Sequence, residues 1–319
     1  MSERERADEL CSMRGVGGAD ELRVTSEHEL LTSFRSFVRS EGARLYRDLP
    51  WRNTRDPYAV WISEVMLQQT QVPRVQTRWG AWLEHFPSVF ALAEASAAEV
   101  LGEWQGLGYN RRALALKSAA EIVVNDYDGV FPTEVRSLTA LPGIGPATAQ
   151  GIRAFAFNLP GVYLETNVRA VFLHHLYPDA PAVPDRELID PIERTCPGLD
   201  APYAQPQDDT DTPQAWYWAL LDYGAELKRL VPNPSRRSRS YAKQSRFEGS
   251  RRQKRAEIVR ILLAAQGQAL DLETITAKLN QVELLAARPH VGTDLVQEIM
   301  ADLSVEGFCV DTGCAWTIA

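Results

Sequence analysis

From about Glu27 to Tyr177 apolar residues recur at three- and four-residue spacings, the period of helices that turn one face to a core. In HELLTSFRSFVRSEG, Leu30, Phe34 and Val38 share a face, and Ser26 stands where a cap belongs. A loop over Trp51–Pro57 leads to a predicted helix over Pro57–Gln71, with Ile62, Val65, Met66 and Gln69 on one face and Glu64, Gln68 and Gln71 aligned on another. The same pattern predicts helices over Thr77–His85, Val89–Ala95, Ala97–Trp104, Arg111–Asp126, Glu134–Ala140, Pro146–Phe157 and Thr166–Tyr177, separated by short polar or glycine-rich turns. Pro178–Pro213 is proline-rich and acidic and reads as an ordered crossing with a mobile acidic insertion. Gln214–Lys228 returns as a helix whose buried stripe is Trp216, Leu220 and Tyr223.

No stretch before Cys309 alternates as a strand, so the expected fold class is all-α, with a groove between two groups of helices. After a basic stretch the pattern changes to three short helices, Arg252–Ala265, Leu272–Leu279 and Gly292–Leu303. FCVDTGCAWTIA follows as a hairpin turning at Asp311-Thr312-Gly313. Three helices and a hairpin read as a small winged-helix-like module. The expected organisation is a disordered lead over 1–25, a helical domain over 26–228, a basic linker over 229–250 and the module over 251–319.

Composition narrows the class. The 319 residues, 45% hydrophobic and 24% charged, suit an ordinary globular chain, and no apolar run is long enough for a membrane span. The charged N-terminus is not a signal peptide, and Cys11, Cys196, Cys309 and Cys314 are too scattered to form a ligand cluster or a disulfide framework. A cytoplasmic, nucleoid-associated monomer without a metal is the expectation. The net charge of −8 hides an asymmetry: Lys228–Arg260 holds twelve Lys or Arg against two Glu, a local +10, so the remainder carries −18. With Tyr241 and Phe247 interleaved, this run reads as a phosphate-contacting segment, with Arg236, Arg237 and Arg239 at its centre.

The most specific local signal is LTALPGIGPATAQGIRAF, Leu138 to Phe155. A helix ends at Leu141-Pro142-Gly143-Ile144-Gly145, and another starts at Pro146, a residue suited to the first helical position. Gly143 and Gly145 allow the turn to approach another surface closely, and the helix N-terminus offers backbone N–H groups to an anion. No side chain in the turn reads a base, so a nucleic-acid backbone is its natural ligand; an ordinary αα-turn is the alternative. Glu64 lies among apolar neighbours on WISEVMLQQTQV, where desolvation raises a carboxyl's pKa, unless it is simply ion-paired at the surface. YLETNVR places Glu165 and Asn167 at a helix mouth, where the dipole favours an ionised Glu165. One neutral and one charged carboxyl is the pairing that cuts a glycosidic bond.

LPWRNTRDPYAVWISEVMLQQTQV, FPSVFALAEAS and WQGLGYNRRALAL, with the hairpin, resemble the MutY-type adenine DNA glycosylases of the helix-hairpin-helix superfamily, over about Phe34–Lys228. The resemblance implies a two-lobed all-α fold whose catalytic groove lies between the lobes and receives a base flipped from the duplex. It makes Glu64 the general acid, puts Gln68 in the base stack beside Gln69, and maps the hairpin to Leu141–Gly145. Asn167 matches the family's Asn, and Tyr109 is the aromatic that enters the DNA.

Four positions depart from the pattern. Glu165 stands where the family has Asp. Ala147 stands where adenine enzymes have Tyr and endonuclease III-like relatives have Lys, so Schiff-base strand cleavage is not implied. Asn110 replaces a second aromatic. Lys228 stands where the family's C-x6-C-x2-C-x5-C array begins, and KRLVPNPSRR has no cysteine, so no cofactor, and specifically no iron–sulfur cluster, is expected. The chain after Phe247 is too short for the Nudix-like domain that often recognises 8-oxoguanine in this family. The expectation is a monofunctional repair glycosylase acting on double-stranded DNA with a mismatch or lesion, most simply adenine opposite 8-oxoguanine or guanine. Mismatched thymine or uracil, another damaged base, and a non-catalytic DNA-binding homologue are the alternatives.

Overall fold

The computed structural model describes residues 27–199, 208–243 and 246–319; the expected lead over 1–25 and the cap at Ser26 lie outside them. The described chain is helical apart from one two-stranded hairpin and two isolated bridges. It divides into two compact units.

The first unit comprises Met1–Glu64, Thr133–Thr139 and Ile144–Lys243. Its helices are α1 (Glu27–Arg44), the N-terminal part of α2 (Pro57–Leu67), most of α7 (Val135–Ala140), α8 (Pro146–Phe157), α9 (Thr166–Leu176), α10 (Arg186–Thr195) and α11 (Pro213–Leu230). Phe34 and Val38 of α1 are fully buried, and Phe34 meets Phe172 edge-on at 5.1 Å and Trp216 at 6.2 Å. The predicted stripe of α11, Trp216, Leu220 and Tyr223, is buried in the same cluster. Gly42 lets α1 and α11 touch, because a Cβ there would lie 2.2 Å from Ala219 Cβ. Ion pairs on two buried carboxylates lock the unit from inside. Asp222 accepts from Arg52 at 2.7 and 2.8 Å and from Arg47 at 2.6 Å, and Arg35 donates to Asp211 at 2.5 Å.

The acidic stretch is therefore partly structural, since Asp208 also takes two hydrogen bonds from Arg39, at 3.0 and 2.9 Å. Residues 200–207 lie outside the described residues. The crossing contains α10, which sequence patterning missed because Pro191 interrupts it; Leu188 and Ile192 nonetheless make a buried face. The expected basic linker is ordered where it begins: Pro234–Arg237 forms a 3-10 turn, and Val183 pairs with Ser238 in a parallel bridge.

The second unit comprises Val65–Pro132, Ala140–Gly143 and Gln244–Ala319. It contains α3 (Val72–His85), α4 (Val89–Glu94), α5 (Ala97–Glu103) and α6 (Arg111–Tyr127). Ser88 caps α4, Ser96 and Glu99 form a capping box on α5, and Asp128 closes α6 in the left-handed region. Trp82 and Trp104 pack edge-to-face at 5.4 Å in its core.

The C-terminal module belongs to this unit: α12 (Arg251–Ala264), α13 (Leu272–Leu285), α14 (Thr293–Val305), and antiparallel β1 (Cys309–Asp311) and β2 (Trp316–Ile318). Helix α13 runs six residues past the expected Leu279, ending on exposed Leu284 and Leu285. The hairpin turns with Thr312 N–H on Ala315 C=O at 2.8 Å. The all-α reading with a winged-helix-like end holds.

Candidate active site

Helix α2 carries Glu64 between fully buried Ile62 and Met66, leaving its carboxyl half-buried. A Cβ on Gly151 of α8 would lie 2.1 Å from Glu64 Oε2, so the room for this carboxyl exists because residue 151 has no side chain. The chain beyond α8 is extended and brings in Tyr163. Its N–H donates to Tyr217 Oη at 3.1 Å, and the Tyr217 hydroxyl in turn donates to the Gly161 carbonyl. The buried Tyr163 hydroxyl donates to Glu64 Oε2 at 3.1 Å. Burial dominates over this one bond, and negative charge on Glu165 adds to it, so the Glu64 carboxyl is pushed up to about 8. Glu64 is protonated at neutral pH.

Glu165 is the N-cap of α9. Its Oε1 accepts from Asn167 N–H at 2.5 Å and Val168 N–H at 2.9 Å, two of the amides a helix start leaves without partners. Burial raises its carboxyl above the ordinary value. The Val168 amide, the half-buried Lys228 ammonium, the Asn167 amide and Arg169 pull the other way. The dipole expected to hold Glu165 ionised is thus opposed by desolvation, which has the larger effect. The two carboxyls differ in their donors: Glu64 has one hydroxyl, whereas Glu165 has two backbone amides and a nearby cation. Asn167 Nδ2 reaches Glu165 Oε2 at 3.4 Å, and its buried Oδ1 has no hydrogen-bond partner. Gly224 of α11 admits this helix start, since a Cβ there would lie 2.5 Å from Asn167 O.

The structure brings Glu64, Glu165 and Asn167 together in the first unit. Tyr163 and Gly151 complete the site and escaped sequence reasoning: Tyr163 lay inside the quoted motif with no role, and Gly151 looked like one more small residue of α8.

The hairpin has the expected geometry, with Gly143 at φ +76° and Gly145 as the N-cap before Pro146. A Cβ on Gly143 would lie 2.8 Å from Ala115 Cβ, whereas nothing stands within 4 Å of one on Gly145. Leu141 is 2% exposed, so its side chain belongs to the core and leaves only its main chain for the expected DNA contact.

Gln68 and Gln69 do not continue α2. The helix stops at Leu67, and Gln69 is exposed at φ +56°, so the predicted stripe of Glu64, Gln68 and Gln71 does not form. In the same unit Tyr109 stands at φ +50°. Both turns are tied to Arg112. Its Nη1 donates to the carbonyls of Val65, Met66 and Gln68 at 2.8, 3.1 and 2.6 Å. Its Nη2 donates to Leu107 and Gly108 at 3.1 and 2.9 Å. Burial lowers this guanidinium to about 10, which leaves it charged at neutral pH.

Among the basic trio, Arg236 and Arg239 are exposed. Arg237 turns inward and donates to the carbonyls of Leu173 and Pro178, each at 2.7 Å, and of Tyr177. It closes the C-terminal end of α9, so its expected role as a DNA contact is corrected to a structural one.

Residues 62–189 match the HhH-GPD superfamily base excision DNA repair protein family. The adenine DNA glycosylase of Mycolicibacterium smegmatis is 45% identical over 141 residues, 43% of this chain and 47% of that protein, so this match spans about half of the relative's length. The adenine DNA glycosylase of Mycobacterium tuberculosis is 31% identical over 278 residues, 83% of this chain and 88% of that protein. A solved thermostable thymine-DNA glycosylase superposes with a TM-score of 0.53 at 24% identity, over 61% of this chain and 86% of that one, a likeness of fold. With a relative matched along nearly its whole length and the repair-family match covering both carboxyls, the chain belongs to the adenine DNA glycosylases, the base excision DNA N-glycosylases of the helix-hairpin-helix superfamily.

Proposed function

We propose that the protein is a monofunctional glycosylase that hydrolyses the N-glycosidic bond of adenine opposite guanine or 8-oxoguanine in duplex DNA, as a monomer at the cytoplasmic nucleoid. The observation that carries the mechanism is a protonated Glu64 beside a Glu165 bound by helix N-terminal amides. In this reading Glu64 gives its proton to the departing base, and Glu165 faces the positive charge that develops on the sugar. Lys228 limits the charge Glu165 leaves in the site, and Asn167 Oδ1 is a buried acceptor without a hydrogen-bond partner among the described residues. The hairpin amides around Gly143 and Gly145 take a phosphate, Gln68, Gln69 and Tyr109 enter the stack, and Arg236 and Arg239 extend the backbone contacts.

Ala147 leaves the hairpin without the lysine of bifunctional relatives, so water is the nucleophile. The residues do not fit an iron–sulfur cluster. No cysteine occurs between Cys196 and Cys309, and the stretch after Lys228 is filled by Asn233, Ser235 and Arg237, which hydrogen-bond protein carbonyls and amides. No step is routed through such a group.

The test is a panel of labelled duplexes, each with one mismatch or lesion, treated with alkali after incubation. Abasic product is expected from adenine opposite 8-oxoguanine or guanine, with no borohydride-trapped adduct. Product only from thymine or uracil mismatches overturns the substrate assignment, and binding without product overturns catalysis. Glu64→Gln is expected to slow single-turnover excision by about 10²–10⁴-fold, and an unchanged rate removes Glu64 from the chemistry.

A further inference from the structure

Within the second unit an open cleft of about 960 Å³ lies against α12 of the C-terminal module. Among the described residues seven arginines line it and no carboxylate does; Gln68, Gln69 and Tyr109 share its wall. Ion pairs account for part of that charge. Arg251 pairs with Glu298 and Asp302, Arg111 and Arg255 share Glu306, and Arg260 takes Glu257. None of these four carboxylates lines the cleft. Arg252 bridges the module to the glycosylase helices. Its guanidinium lies 5.2 Å from the Tyr109 ring centre and 5.3 Å from that of Phe247, and it donates to Tyr109 Oη at 3.0 Å. Phe247 is 39% exposed at the rim. Guanidinium groups for phosphates, exposed π-faces for bases and amide side chains for base edges are the means by which proteins hold a nucleic-acid strand.

We propose that this cleft carries the DNA interface of Gln68, Gln69 and Tyr109 onward onto the C-terminal module. The C-terminal module extends the DNA interface by holding a locally unstacked strand, its phosphates on the α12 arginines and Arg74 and a base against the Phe247–Arg252–Tyr109 shelf. This rests on the glycosylase reading for the presence of DNA but not on which base is excised. It explains why Tyr109 is braced from a segment more than a hundred residues away in sequence.

The experiment measures affinity of the full chain for a duplex carrying an abasic-site analogue, which needs no excision. Arg252→Glu and, separately, the exposed Arg74→Glu are expected to weaken binding about tenfold near physiological salt. Each should reduce the slope of log K against log salt by about 0.9 for each phosphate that the protein no longer neutralises. Lys278→Glu, an equal charge change on an exposed face of α13 away from the cleft, is the control and is expected to stay within about twofold of the parent. A photoreactive phenylalanine analogue at Phe247 should crosslink to one DNA strand, and the same analogue at exposed Leu285 should not.

Arg74→Glu is read beside Arg252→Glu so that a fold defect in one variant does not decide the matter. Unchanged affinity in both, or equal weakening by Lys278→Glu, overturns the proposal whatever the excision panel gives. If the parent protein excises nothing on that panel and both cleft variants still weaken binding, the cleft stands and the catalytic reading falls.

Discussion

A group that protonates a leaving base has to hold its proton at the working pH, and Glu64 does so because burial outweighs its one hydroxyl donor. Excision is therefore expected to fall about tenfold per pH unit above about 8, where Glu64 loses its proton. On the proposed mechanism the acid limb is expected to follow Glu165, whose carboxyl burial raises above its ordinary value. Single-turnover rates across pH check this, and a profile flat beyond pH 9 contradicts it. The same shift has a stability consequence of definite sign. The folded carboxyl titrates at about 8 against 4.5 unfolded, so the folded state binds the extra proton between those values and loses stability as pH rises through that window. Glu64→Gln should match the parent below pH 4.5 and exceed it by a few kcal/mol at pH 8, read by urea denaturation; a gap that does not widen with pH refutes the assignment. Glu64, Glu165 and Asn167 were legible in the sequence because carboxyl and amide groups stand out in apolar or helix-start settings. Tyr163 and Gly151 were not, because the role of each is defined by Glu64, which approaches from a distant element.

Helices α8 and α9 position the site, and each is tuned by contacts along its length. Gly151 sits inside α8, where Ala is the better helix former by about 1 kcal/mol. Gly151→Ala should nevertheless reduce excision by about tenfold or more, because the new Cβ would lie 2.1 Å from Glu64 Oε2 and move the acid. Rates within twofold of the parent would show that the carboxyl has room to shift. Helix α9 is laced by the 3-10 turn beside it. Ser235 Oγ donates to Thr166 O at 2.9 Å near the Glu165 end, and Arg237 closes the far end. Arg237→Ala leaves several carbonyls without donors and is expected to lower stability by about 2 kcal/mol, measured by urea denaturation; an unaltered midpoint would mean that water serves equally well. The periodic helices were legible to within a few residues at most ends. Helix α10 was not, because Pro191 masks a buried face supplied by tertiary packing. The end of α2 was missed because Arg112, from another helix, draws the carbonyls of Val65, Met66 and Gln68 out of the helical ladder.

At the scale of the whole molecule, the question is what holds the stretch after Lys228, for which we propose that no iron–sulfur cluster is bound. The chain from Val231 to Ser240 answers with ordinary hydrogen bonds. Asn233 caps the 3-10 turn through Ser235 N–H at 3.0 Å, Ser238 O–H donates to Asp185 at 3.1 Å, and Asp185 takes both nitrogens of the Arg169 fork at 3.0 and 2.8 Å. Arg169 lies four residues past Glu165 on α9, so this network reaches the helix that Glu165 caps. A side-chain network does not depend on thiolates, on iron or on redox state, whereas a cluster depends on all three. The purified protein is therefore expected to contain no stoichiometric iron and to show no visible charge-transfer absorbance. Prolonged treatment with a chelator or a mild oxidant should leave its melting temperature and excision rate unchanged. High ionic strength should have little effect on the melting temperature, because the Arg169–Asp185 pair is partly shielded from solvent, while DNA affinity falls steeply. Elemental analysis and thermal melts before and after chelation check this directly. Bound iron, or a melting temperature that drops on chelation, would show that a metal rather than the Arg169–Asp185–Ser238 network holds this edge of the first unit.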